Sequence, residues 1–168
     1  MSTLADLLFK PFDDHGRNWS PIPIRLIVGI GFLEHGLAKL SRGPDMFVQI
    51  LDAMHLPAPF LLGWLTVLVE IFGGAAVLLG FMIPLAGIPM IVVLLVAIIT
   101  VHLPNGFSSI KLQSYTAAGA HFGQPGYETD LLYLAGLGAL ILGGPGALSL
   151  DRLVMRRSRP ALSQAPSY

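Results

Sequence analysis

Apolar residues fall in long unbroken runs along this chain, the longest covering positions 58–103 almost completely. A single helix of that length would reach about 69 Å at roughly 1.5 Å per residue. Since about 20 apolar residues cross the roughly 30 Å hydrocarbon layer, the run reads as two crossings. Gly80 and Pro84 mark the turn between them, because Gly suits a helix end and Pro a helix start. Spans over 58–80 and 83–103 follow, the second kinked at Pro89.

The charge-free stretch 131–150 predicts a further span over 128–148, ending near Gly143-Gly144-Pro145-Gly146. The least obvious span is 22–40, I-P-I-R-L-I-V-G-I-G-F-L-E-H-G-L-A-K-L. It carries Arg25, Glu34, His35 and Lys39 yet keeps a spacing that fits a helix. An even number of spans places both termini on one side. The predicted fold is thus all-α, an integral membrane four-helix bundle over 22–150. A short interfacial segment at 1–21, with Trp19 at headgroup level, precedes it. A basic tail at 151–168, its helix starting at Ser149, follows. The 104–127 connection, rich in Gly, Ser and Asn, is predicted as an outer loop.

Composition supports the membrane assignment. Of 168 residues 54% are hydrophobic and 12% charged, with mean hydropathy +0.70; soluble domains carry about 25% charged residues. That leaves too little charge for a water-facing exterior, so the lipid bilayer is the expected surroundings. Basic residues are concentrated at the ends: Lys10, Arg17, Arg25, Arg152, Arg156, Arg157 and Arg159, against Lys39, Arg42 and Lys111 on the other side. By the positive-inside rule both termini are cytoplasmic, in a bacterial inner membrane. The absence of cysteine removes disulfides, thiol redox chemistry and c-type haem attachment. The five histidines show no metal-binding spacing, and nothing indicates a nucleic-acid partner or a removable signal peptide.

Topology converts the remaining charges into depths. Glu34, His35, Lys39, His102 and Glu128 gather in the outer half of the bundle, while Glu70 sits roughly 16 Å down span two, near the midplane. A charge at a helix centre costs about 2.5–3.5 kcal/mol and each Leu, Ile, Phe or Val returns about 0.3–0.6, so the span inserts with Glu70 in place. Arg25, roughly 6 Å deeper, is the predicted partner in an Arg25–Glu70 ion pair, its planar fork suited to a carboxylate. Such a pair could simply fasten two helices. Intramembrane ionisable groups are also functional candidates, which makes Glu70 and His35 the candidate proton-exchanging groups. Arg25, Lys39, His102 and Glu128 are candidate substrate or ion-pair positions.

Blander roles stand beside these. His35, four residues before Lys39 on the same helix side, could bridge to a neighbouring span, and Glu34 points about 100° away from it. His35 and His102 at comparable depth raise bis-histidine haem ligation, for which no other feature calls. Glu128 fits a helix start, where the positive end favours acids. Gly29 with Gly36, and Gly136 with Leu140 and Gly143, are spaced for close helix packing. Gly73-Gly74 could do the same or open room for a flat ligand.

Five short pieces occur in order: R-L-I-V-G at 25–29, H-G-L-A-K-L at 35–40, E-I-F-G-G at 70–74 with L-L-G at 78–80, G-Y-E at 126–128, and G-P-G-A-L-S-L-D at 144–151. In this order and spacing the chain resembles the DoxX family of small membrane proteins. The resemblance implies a four-helix bundle in the bacterial inner membrane and a link to respiratory redox chemistry. Relatives include a subunit of a thiosulfate:quinone oxidoreductase, and others join a superoxide dismutase and a thiol-handling partner in an oxidative-stress complex. Family sites would fall at Arg25, His35, Lys39, Glu70 and Glu128. The expected function is a membrane subunit of a quinone-linked oxidoreductase or oxidative-stress redox complex. Lacking a visible electron carrier, the chain would take its redox centre from a partner protein. The alternatives are a non-enzymatic anchor for a soluble partner, or a small proton-coupled transporter whose pathway forms in a homo-oligomer.

Overall fold

Four helices open with a proline in the first turn, where the missing N–H costs nothing. In this computed structural model, which describes residues 18–157, they are α1 (Pro21–Arg42), α2 (Pro44–Ala53), α3 (Pro59–Leu79) and α4 (Ile83–Asn105). A two-stranded antiparallel sheet follows, β1 (Leu112–Thr116) with β2 (Gly119–Phe122), then α5 (Glu128–Gly143) and α6 (Leu150–Arg157). Expectations for residues 1–17 and 158–168 lie outside the described residues.

α1, α3 and α4 are long and apolar enough to cross a membrane. The turn between α3 and α4 forms where expected, with Gly80 left-handed at φ 65° and Pro84 in the first turn of α4. The helix at the chain's end also starts as expected: the Ser149 Oγ accepts from the Arg152 N–H at 3.3 Å.

Three expectations need correction. α5 has 16 residues, not the 21 of a span over 128–148, because Gly144 turns the chain out of the helix at φ 82°. The fold is not all-α, since β1 and β2 form a hairpin inside 104–127. Its two-residue turn is fixed by the Thr116 Oγ1 accepting from the Ala118 N–H, with Gly119 supplying φ 118°. Finally, α2 fills what the apolar runs leave as a bare connection. Its ten residues place Leu51 inward and Asp45, Gln49 and Asp52 outward, an amphipathic pattern too short to register as a span.

Glycines set how the long helices meet. A Cβ on Gly74 would lie 2.8 Å from the Gly29 carbonyl oxygen, and one on Gly36 would lie 3.0 Å from the Glu70 Cβ. α1 and α3 therefore touch backbone to backbone, antiparallel, with Gly29 set between Gly74 and Leu78 and Gly36 beside Glu70. Gly73 is filled from the other side by the Met90 sulfur, which would stand 2.8 Å from a Cβ there. This glycine pair therefore serves packing rather than a ligand. Gly136 packs on Val28, but Gly143, expected in the same stripe, faces open space.

The core joins Val28 and Phe32 of α1 to Val77, Met90, Leu137 and Leu140. Outward-facing positions are also apolar: Phe60, Phe72, Leu132 and Leu142 are exposed. A helix surface apolar all round is the signature of a lipid-facing bundle.

Candidate functional site

Glu70 is buried at 5% exposure, inside a π turn, Val69–Gly73, that interrupts α3. Such turns hold an extra residue and recur at functional sites. A second one, Ile98–His102, interrupts α4 and delivers His102. Each of these two irregular turns thus presents one ionisable side chain.

The partner of Glu70 is Lys39, whose Nζ lies 2.6 Å and 2.7 Å from the two carboxylate oxygens. The same ammonium stands 5.0 Å from the centre of the Phe47 ring of α2, a cation–π contact. The expected Arg25–Glu70 pair does not form. With Gly36 beside Glu70 and Gly80 against Arg25, Arg25 falls level with the end of α3, about three helical turns from Glu70 at roughly 5.4 Å per turn. Depths counted from assumed span ends missed this offset.

Arg25 instead gives all its N–H groups to carbonyls. Nε donates to Val77 at 3.2 Å, Nη1 to Pro145 and Ala147 at 3.0 Å each, and Nη2 to Leu78 at 2.8 Å and Leu148 at 3.2 Å. Those of Val77 and Leu78 lie at the negative end of α3, where a cation is favoured, and the Val77 carbonyl also accepts from the Gly80 N–H at 3.1 Å. The guanidinium binds the first turn of α1, the end of α3 and the 145–148 segment into one joint. Gly80 sits against it: a Cβ there would lie 2.7 Å from the Arg25 Cζ.

At the other end of the bundle His102 Nδ1 lies 3.3 Å from the Pro125 carbonyl and Nε2 lies 3.9 Å from an oxygen of Asp130. Asp130 is buried and within electrostatic reach of both His102 and His35. The sequence reading missed it; its signal was an acid two residues after Glu128, in the first turn of a helix leading into the core. Glu128 starts α5 as expected, and its Oε2 accepts from the Ser109 N–H at 2.9 Å, closing the loop that carries the hairpin. Glu34 and His35 are exposed on the flank of α1. Among the described residues no group of three or more His, Asp or Glu converges as a metal site.

Between α2, α3 and α4 lies a cavity of about 740 Å³. Its walls are apolar, with Phe47, Ile50, Leu65 and Val93 typical, and its polar groups are Lys39, Glu70, Thr66, Thr100 and His102. It collects both π-turn side chains and the ion pair, whereas His35 is not among its lining residues. Small-molecule sites are commonly of this kind, concave and mostly apolar with a few convergent polar groups.

A sequence model of the DoxX family matches residues 20–103, the stretch that contains α1 to α4 up to the second π turn. The uncharacterized membrane protein Rv3486 of Mycobacterium tuberculosis is 35% identical over 147 residues, covering 83% of this chain and 83% of that protein. The chain belongs to the DoxX family. No solved structure matches it. Within this DoxX protein the matched stretch includes Arg25, His35, Lys39, Glu70 and His102 but stops before Glu128 and Asp130.

Proposed function

We propose that this DoxX protein is the membrane subunit of a quinone-linked redox complex, its cavity between α2, α3 and α4 holding the quinone. One observation carries the reading: the apolar cavity of about 740 Å³ meets the Lys39–Glu70 pair and His102. A quinone has an apolar tail and two carbonyl oxygens that accept hydrogen bonds. The tail matches the Leu65 and Val93 walls, and Lys39 and His102 are the donors. Reduction of a quinone takes up two electrons and two protons. The electrons come from a redox centre of a partner protein; this chain has no cysteine to ligate an iron–sulfur cluster or attach a c-type haem. The protons pass through cavity groups, with Glu70 and His102 the residues placed for it. His102 takes over the part expected of His35, and Lys39 fills its ion-pair position with the Glu70 carboxylate.

The proposed setting is the bacterial inner membrane, with α5 as a fourth, short crossing and both termini cytoplasmic. A second reading, a non-enzymatic anchor, draws on the hairpin, where Tyr115 is 80% exposed on a strand that no other element covers among the described residues.

Native purification from the protein's own membranes separates the two. A co-purifying flavin, haem or copper protein, with quinone turnover lowered in Glu70→Gln at unchanged membrane level, is the expected result. Unchanged turnover in that variant would sink the catalytic role of Glu70, and a colourless partner held through the hairpin would favour the anchor.

A further inference from the structure

A second, smaller cavity of about 430 Å³ lies at the opposite end of the bundle from His102, beside the Arg25 joint. Arg25 and Arg152 line it, together with Leu78, Leu79, Leu150 and Leu153. The charges here are unbalanced. Arg25 spends its donors on five carbonyls, so its positive charge meets no carboxylate among the described residues. The Arg152 guanidinium makes no hydrogen bond or ion pair among the described residues. The adjacent acid, Asp151, turns both oxygens to the Met82 N–H at 3.1 Å and 2.9 Å, where it caps α4.

The cavity therefore presents two cations and a leucine wall. That wall continues outward: Leu79 is 51% exposed, Leu153 48%, and Leu148, held at φ 51°, 76%. A left-handed backbone is strained for a leucine, and here it aims an apolar side chain away from the protein beside two positive charges.

We propose that this cavity binds an anionic phospholipid. The phosphate takes the free fork of Arg152, for which bidentate recognition is the natural geometry. Arg25 adds charge without donating further hydrogen bonds, and the acyl chains run along Leu79, Leu148 and Leu153. Basic pockets between membrane helices are general sites for anionic headgroups. The site stands independently of the larger cavity and of any quinone.

Native mass spectrometry of the full chain in detergent, with added phosphatidylglycerol or phosphatidylcholine, tests it. The expected result is a retained phosphatidylglycerol that phosphatidylcholine does not replace. Retention should fall about fivefold in Arg152→Gln, the scale of one basic residue against an anionic lipid surface. Arg42→Gln, which removes one exposed charge at the other end of α1, should leave it nearly unchanged, and glycerol 3-phosphate should not displace the lipid. Equal retention of the two lipids overturns the proposal, as does an equal loss in both arginine variants, which would make the effect one of net charge. Displacement by glycerol 3-phosphate at the same concentration would overturn it too, by showing a phosphate site without a lipid one.

Discussion

Lys39 Nζ binds both carboxylate oxygens of Glu70, at 2.6 Å and 2.7 Å, and so locks α1 to α3 beside the larger cavity. The lysine side chain keeps 22% of its surface exposed and the glutamate 7%. Removing either partner leaves a charge in apolar surroundings. Lys39→Met or Glu70→Leu alone should destabilise the bundle by about 2–3 kcal/mol, somewhat less than the roughly 3–5 kcal/mol of a fully buried pair. The double variant should regain most of that loss in thermal melts. If the double variant melts at the sum of the two single losses, the pair is not coupled.

The Arg25 joint gives a sharper case. Lysine keeps the charge but has three donors against five and no planar fork. Val77 keeps the Gly80 N–H, so Arg25→Lys leaves at least one of the other carbonyls without a partner, at about 1–3 kcal/mol. A drop in melting temperature, with earlier proteolysis in the 144–149 segment, is the expected outcome. Wild-type protease resistance in Arg25→Lys would mean that charge alone holds the joint.

Glycine substitutions should divide by position. Gly74→Ala drives a methyl to 2.8 Å from the Gly29 carbonyl oxygen and the Leu33 nitrogen, both backbone atoms. Overpacking of that kind costs about 1–3 kcal/mol. A methyl on Gly138, in α5, would meet nothing within 4 Å. Gly138→Ala should thus be neutral or stabilise by up to about 1 kcal/mol through helix propensity. Melting temperatures of the two variants measured side by side check the contrast, and equal losses would contradict it.

What could be read from the chain beforehand follows from the same physics. Long apolar runs and the Gly80–Pro84 turn located α1, α3 and α4 to within a few residues, because span length is dictated by the bilayer. Pairing was not readable: Arg25 and Lys39 both compete for Glu70, and only the Gly29–Gly74 and Gly36–Glu70 contacts decide between them. Those contacts depend on helix register, which hydropathy does not encode. Asp130 escaped notice because an acid in the first turn of a helix is ordinarily solvated, and its burial depends on α4 lying against it. The α2 helix and the hairpin were hidden for a related reason. Both are short elements outside the hydrocarbon-length runs, and local turn chemistry at Thr116 and Gly119 shapes the second.

The larger cavity decides the functional reading. Photolabelling of the full chain in native membranes with an azido-quinone, followed by peptide mapping, probes it directly. Val93→Trp should fill the cavity wall, while Leu142→Trp, at a position 91% exposed on the bundle's outer surface, serves as the control. The expected result is labelling of peptides from α2, α3 and α4 that Val93→Trp abolishes and Leu142→Trp leaves intact. Labelling spread over lipid-facing peptides and equal in both variants would show that no quinone occupies the cavity.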